Sequence, residues 1–248
     1  MRAVYRTDVG REREQNQDSV LVISAPVGKL PNLLMVADGM GGHKAGDRAS
    51  RTAVERIPRL IADSTHTNPL LIVTDAVREV NTEIYSLACD RDEYRGMGTT
   101  LTLGYIDQRE LYVYQIGDSR CYVSDSDGLR QITHDHSYVE EMIQAGRIDR
   151  QTARTLPDKN IITRAVGAED SIKVDFFREV LTEGDILLLC SDGLTNMVTD
   201  QEIARIVFSF RSLEAAADRL IFEANRAGGK DNISAILINP FDTGRWLA

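Results

Sequence analysis

Leu33-Leu34-Met35-Val36-Ala37-Asp38-Gly39-Met40-Gly41-Gly42 is the stretch on which the fold turns: five apolar residues deliver an acid and then a run of glycines. Ile186-Leu187-Leu188-Leu189-Cys190-Ser191-Asp192-Gly193 repeats the arrangement near the other end of the chain. A short apolar run bounded by turn residues reads as a buried strand. An Asp-Gly pair after a strand commonly makes a hairpin turn, because both residues suit the backbone angles required. That reading suits Asp127-Gly128, which joins residues 121–124 to Leu129-Arg130-Gln131-Ile132. It fails at Asp38 and Asp192, where a helix and not a return strand is expected next, the first starting near Asp47. These two acids stand at the mouths of buried strands, a placement that serves function.

Two further acids share it. Tyr112-Val113-Tyr114-Gln115-Ile116 delivers Gly117-Asp118, and Asp231-Asn232 immediately precedes Ile233-Ser234-Ala235-Ile236-Leu237-Ile238. Neighbouring strands lie about 4.8 Å apart, so acids at one end of adjacent strands crowd a single site. Crowded carboxylates are unfavourable unless they are protonated or bound to cations. Oxygen donors of this kind suit Mg²⁺ or Mn²⁺, and the chain offers no Cys/His set for structural zinc. The inference requires the strands to be neighbours.

Strand signals recur at residues 33–37, 101–105, 111–116, 121–124, 186–190 and 233–238. Helical spacing is clear at Val73, Ala76, Val77, Val80, Ile84, Leu87 and Ala88, and again at Leu213, Ala216, Ala217, Leu220, Ile221 and Ala224. Shorter helices are expected after Gly46, Ser137 and Thr199, with Pro58 breaking or kinking the first. Strands in hairpin order beside two helical blocks predict an α+β fold of antiparallel sheets covered by helices. No linker or repeat interrupts the 248 residues, so residues 1–248 are expected to form a single domain.

An apolar fraction of 42% and a charged fraction of 27% are ordinary for a globular chain and exclude a disordered or collagen-like one. No apolar run approaches the roughly 20 residues that span a bilayer. The opening Met1-Arg2-Ala3-Val4-Tyr5-Arg6 lacks the apolar core of a secretory signal, so a cytoplasmic protein is expected. Acids outnumber bases 38 to 29, for a formal charge of −9. Such a surface repels nucleic acids and anionic membranes, and neither partner is expected. Cys89, Cys121 and Cys190 are too few and too scattered for a disulfide framework and read as small hydrophobes.

Six short motifs then fall into a familiar order. Gly10-Arg11-Glu12-Arg13-Glu14-Gln15-Asn16-Gln17-Asp18 resembles the GxxRxxNxD motif of the bacterial type 2C (PPM) metal-dependent serine/threonine protein phosphatases. DGMGGH at 38–43 with Gly46, Ala49 and Ser50 resembles the second motif. GMGTT at 96–100, IGDSR at 116–120, CSDGL at 190–194 and GGKDN at 228–232 complete the series, so the likeness runs from about Thr7 to Ile238. The resemblance implies a layered α-β-β-α sandwich, two antiparallel sheets flanked by helices, with a metal centre at one end. By position, Asp38 would bridge two Mn²⁺ or Mg²⁺ ions, the Gly39 carbonyl would ligate one, Asp192 and Asp231 would bind the same pair, and Asp18 would hold it through water. Asp118 and Asp192 resemble the ligands of a third, weaker ion. Arg13 aligns with the arginine that grips substrate phosphate, and His43 falls near a leaving-group acid. Asp47 stands where glutamate is common, and Asn196 where aspartate is common. Residues 137–167 resemble a flap beside the site, read either as an exposed helix pair or as a substrate-selecting lid. Ser137 would begin its first helix and Gly146 would cap it.

The implied reaction is hydrolysis of phosphoserine and phosphothreonine in proteins, reversing a Ser/Thr kinase system, by a monomeric enzyme. A phosphomonoester dianion approaching a −9 protein is repelled until cations invert the local potential; those cations also lower the pKa of coordinated water from 15.7 to roughly 7–9. Water bridging the two cations would attack phosphorus in line. The leaving oxygen takes its proton from His43 or from a coordinated water, and the sequence leaves both open. A catalytically inactive phosphoprotein-binding relative is the alternative. A cysteine-dependent phosphatase is not supported: Cys89 and Arg95 have C-x5-R spacing, but the intervening Asp90-Arg91-Asp92-Glu93-Tyr94 has three acids and no glycine to cradle phosphate. His134-Asp135-His136 reads as a surface turn.

Overall fold

The structure, a computed structural model, describes residues 1–41, 45–125, 128–149, 152, 156, 160–210 and 212–241. One sheet has five strands in the order β1 (Arg2–Asp8), β11 (Ile233–Asn239), β10 (Ile186–Cys190), β7 (Arg120–Asp125) and β8 (Gly128–Gln131). The other runs β2 (Asp18–Ile23), β3 (Leu33–Met40), β5 (Leu101–Asp107), β6 (Glu110–Ile116) and β9 (Asp175–Val180), with the short β4 (Gly98–Thr99) added to β3. Every pairing is antiparallel.

The sheets lie face to face, and the apolar runs explain why. Successive side chains of a strand point to opposite faces. In β3, Leu34 and Val36 pack between the sheets, while Leu33 and Met35 pack outward under helices. In β10, Leu187 and Leu189 face the other sheet, and Ile186, Leu188 and Cys190 face outward. Both strands are covered on both sides, so neither shows polar alternation. The outer face of the β2–β9 sheet is covered by α1 (Ala45–Asp63) and α2 (Pro69–Asp90). The outer face of its partner is covered by α5 (Asp200–Ser209) and α6 (Leu213–Arg226). The result is the expected four-layer α-β-β-α sandwich.

Local sequence sets the helix ends. Asn68 caps α2 by accepting the Leu70 N–H at 2.9 Å, with Pro69 at the first position, where its missing N–H costs nothing. Thr199 and Glu202 form a reciprocal capping box on α5, and Ser212 accepts the Ala215 N–H at 3.1 Å to start α6. Ser137 caps α3 (Tyr138–Gln144), and Gly146 follows with φ +67° in the left-handed conformation expected of it. Pro58 does not break α1, which runs unbroken to Asp63. Its apolar face of Ala49, Ala53, Ile57 and Ile61 is fully buried, and that packing outweighs one lost backbone hydrogen bond. Strands β1 and β9, which lack a strong apolar run, and β2, whose Val20-Leu21-Val22-Ile23 run the sequence reading passed over, complete the sheets. Among the described residues no helix is long and apolar enough to cross a membrane.

Candidate active site

Antiparallel pairing brings the ends of β3, β6 and β10 and the starts of β2, β7 and β11 to one edge of the sandwich. Asp18 begins β2 and is paired directly with Asp38 in β3. Asp192 follows β10 at the first position of the short α4 (Asp192–Thr195), and Asp231 precedes the neighbouring β11. Asp118 lies in the turn where the chain leaves β6 in one sheet for β7 in the other. Adjacency is thus real within each sheet, and the cluster itself forms across the gap between the sheets. Arg13, Asp38, Gly39, Asp118, Asp192 and Asp231 line one cleft of about 320 Å³, together with Asn160 and Ile162. Asp18 is buried beneath it.

The motif residues hold these acids in place. The Asp38 N–H donates to Thr100 Oγ1 at 2.9 Å, and its carbonyl accepts from the Thr100 N–H at 2.8 Å and from Thr99 Oγ1 at 3.0 Å. Gly39 donates to the Gln17 carbonyl at 3.1 Å, and a Cβ on it would stand 2.1 Å from the Gly46 carbonyl oxygen. That contact explains why two glycines, seven positions apart, face each other where α1 leaves the sheet. Gly193 is equally constrained, since a Cβ there would lie 1.9 Å from the Asn232 carbonyl oxygen. Asn232 organises the N-terminal loop: its Nδ2 donates to the Val9 and Gln15 carbonyls, both at 2.9 Å, and its Oδ1 accepts the Gln17 N–H at 2.8 Å. Sequence reading missed Asn232, Thr100 and Ser191 as organisers, although all three lie inside quoted motifs.

The electrostatics are severe for bare carboxylates. Burial, together with repulsion from Asp18, Asp192, Asp118 and Asp231, drives the Asp38 carboxyl far above the usual range. Burial pushes Asp18 up to about 7, against the restraining Ser234 and Ser191 hydroxyls. Burial and Asp231 push Asp192 up to about 6, while hydrogen bonds from Asp38 and Asn196 pull it back. Burial and Asp192 also raise Asp118, opposed in part by Arg120. Asp18 Oδ2 accepts from Ser191 Oγ at 2.7 Å and Asp192 Oδ2 from Asn196 Nδ2 at 2.8 Å, but Oδ1 of each acid is buried with no partner. Buried polar atoms are rarely left so.

Divalent cations fit this set: hard oxygen donors, an excess of negative charge, and orphaned carboxylate oxygens. Among the described residues, no three His, Cys, Asp or Glu side chains already form a closed metal-holding group. The acids instead line a cleft. Arg13, half exposed, donates from Nη2 to Asp231 Oδ2 at 2.8 Å, so it reaches the cleft wall. His43 lies outside the described residues. So does Asp127, which lies between the paired Asp125 and Gly128.

His134-Asp135-His136 is not a surface turn. Asp135 takes Arg120 in a bidentate pair at 2.6–3.0 Å, and the buried His136 ring bonds the Gly117 N–H and Asp175. Two charged neighbours, Arg120 and Asp175, compensate polar groups that the sequence alone left unpaired. The thiols behave as read in part: Cys121 and Cys190 are fully buried, and Cys89 is exposed.

Comparison with known proteins agrees with this geometry. The family model for protein phosphatase 2C matches residues 10–233. The chain is similar to the serine/threonine phosphatase stp of Listeria innocua, 42% identical over 96% of this chain and 95% of that protein. It is 40% identical to protein phosphatase PhpP of Streptococcus pneumoniae, over 94% and 95% of the two chains. Among solved structures, the serine/threonine phosphatase Stp1 of Staphylococcus aureus superposes with a TM-score of 0.87 at 34% identity, covering 95% of this chain and 93% of that one. The catalytic domain of the serine/threonine phosphatase PstP in complex with two manganese ions superposes with a TM-score of 0.82 at 34% identity, covering 95% and 96%.

Proposed function

The chain belongs to the protein phosphatase 2C family, and from that membership we propose how its cleft works as a metal-dependent serine/threonine protein phosphatase. It hydrolyses phosphoserine and phosphothreonine in proteins, and the inactive-relative alternative falls away. The observation that carries the proposed mechanism is the convergence of four aspartates from both sheets on one cleft, with Asp18 buried beneath and two buried oxygens unpartnered.

Asp38, the Gly39 carbonyl, Asp192 and Asp231 would hold two core cations, with Asp18 behind them; Asp118 and Asp192 would hold a third, weaker one. Mn²⁺ is the ion carried by a similar solved structure, and Mg²⁺ is the chemically equivalent alternative. When bound, the cations supply a nucleophilic water of lowered pKa and positive charge against the phosphate. Thr99 and Thr100 fix the Asp38 backbone on three hydrogen bonds, so its carboxylate is aimed before any ligand arrives. Arg13 stands at the cleft wall, where its planar guanidinium would take two non-bridging phosphate oxygens. His43, or water in the cleft, would protonate the leaving Ser or Thr oxygen. Asn160 and Ile162 line the same cleft as the aspartates, which supports the lid reading of 137–167. The enzyme would act as a cytoplasmic monomer opposite a Ser/Thr kinase, without nucleic acid or membrane partners.

The test is turnover of phosphoserine and phosphothreonine peptides by metal-stripped protein titrated with Mn²⁺ or Mg²⁺. Activity should appear only with the ion and vanish with EDTA. Undiminished turnover after rigorous stripping would refute the metal mechanism.

A further inference from the structure

Asp118 stands on a turn held by hydrogen bonds on both sides. Gly117 before it has φ +95°, a conformation suited to glycine, and a Cβ there would meet the Thr100 side chain at 2.6 Å. On the far side of Asp118, Ser119 is anchored: its hydroxyl bonds Thr100 Oγ1 at 2.7 Å and its carbonyl accepts from Gln115 Nε2 at 2.6 Å. On the near side, Gln115 Nε2 donates to the Gly117 carbonyl at 3.0 Å, and further restraint comes from His136. The Gly117 N–H donates to His136 Nδ1 at 3.0 Å, and the His136 N–H donates to the Gly117 carbonyl at 2.9 Å. An N–H donor facing Nδ1 requires that nitrogen to be bare, while Nε2 lies 3.2 Å from Asp175 Oδ2 and 3.0 Å from Arg164 Nη1, which itself donates to Asp175 Oδ1 at 2.8 Å. The His136 carbonyl in turn accepts the Thr163 N–H at 2.8 Å, next to Ile162 on the cleft wall.

We infer that His136 is a positioning residue for catalysis: its ring Nδ1 holds the Gly117 N–H, fixes the Ile116–Gly117 peptide that leads into Asp118, and so aims the Asp118 carboxylate at the third cation. The inference rests on the proposed role of Asp118 as a ligand. His136 touches no substrate. Without its acceptor, the Gly117 N–H is buried and unpaired, and the turn before Asp118 keeps only the bonds to the Gly117 carbonyl from the His136 N–H and Gln115 Nε2.

Three substitutions separate this role from simple packing. Asn places its amide oxygen where Nδ1 stood, Gln places its amide near Nε2 instead, and Phe keeps the ring shape without either nitrogen. Mn²⁺ binding to metal-stripped protein is followed by calorimetry, with kcat measured as a function of Mn²⁺. His136→Gln and His136→Phe should weaken the weakest Mn²⁺ site at least tenfold and spare the tight ones; kcat should fall with its Mn²⁺ requirement shifted upward. His136→Asn should stay within about threefold of the parent on both readouts. If all three variants match the parent, or Asn is as impaired as Phe, the clamp is wrong. Asp118→Asn is the control: if it too binds Mn²⁺ like the parent, the ligand reading of Asp118 fails. Should Gln and Phe not fold, the ring ¹⁵N spectrum of the unaltered metal-stripped protein decides, since a proton on Nδ1 would overturn the inference.

Discussion

Asp18→Asn should make the metal-free protein progressively more stable than its parent as the pH rises from about 4 to about 8. In the folded chain burial lifts Asp18 from 3.8 to about 7. A group whose folded pKa lies above its unfolded value lends stability that is complete below the unfolded pKa and is lost as pH rises through the folded one. A rise from 3.8 to about 7 corresponds to about 4 kcal/mol between the two protonation states, an upper bound because Asp18 shares its protons with its neighbours. The difference between variant and parent is the quantity to follow, because other carboxylates pull the opposite way. Arg178 holds Glu110 low, for example, so that acid loses stabilising charge as pH falls. These contributions cancel in the difference. Asn keeps an acceptor for the Ser191 hydroxyl and gains a donor at the orphaned oxygen. Urea melts of both proteins, stripped of metal, at half-unit pH steps would measure it. A variant advantage of several kcal/mol growing through pH 4–7 is expected. A pH-independent difference, or one that shrinks, would refute the buried-carboxylate reasoning.

Three further outcomes are expected. Arg13→Ala should raise KM for phosphopeptides roughly ten- to a hundredfold, the worth of a charge-assisted hydrogen bond, with a smaller change in kcat; an unchanged KM would leave Arg13 as a partner of Asp231 only. His43→Ala should slow phosphothreonine peptides far more than p-nitrophenyl phosphate, whose leaving group needs no proton; equal slowing of both would assign the proton to water. Iodoacetamide should label Cys89 alone in the native protein and leave turnover intact, because burial excludes reagent from Cys121 and Cys190 and pushes the Cys121 thiol up to about 12; inactivation by that label would reopen a thiol mechanism.

What could be read from the chain alone follows from how each segment is covered. β3 and β10 are buried on both faces, so their sequences are unbroken apolar runs with sharp ends, and the acids at those ends were plain. β9 is an edge strand whose residues alternate between part-buried and exposed, and β1 mixes arginines that pair with α6 acids, such as Arg2 with Glu214 at 2.8 Å. Neither carries a run to detect. Pro58 looked like a break because a local rule was applied where the buried stripe of α1 prevails. His134-Asp135-His136 looked like a turn because its partners, Arg120, Gly117 and Asp175, lie 15 to 39 residues away in sequence. Strand adjacency was assumed, and it proved true within each sheet but not between β3 and β10, which face one another across the core. The role of Asp18 rested on resemblance, and the structure shows it paired beside Asp38.

The central claim is that the strand-end aspartates hold the cations that make the cleft catalytic, and Asp38→Asn tests it most directly. Calorimetric Mn²⁺ binding and phosphothreonine-peptide turnover should be measured on the same metal-stripped samples, with a thermal melt to confirm folding. The variant should lose tight Mn²⁺ binding and at least about a hundredfold in kcat, while melting no lower than the parent without metal. Asp38→Asn protein that binds Mn²⁺ with parental affinity and turns over at the parental rate would contradict the account.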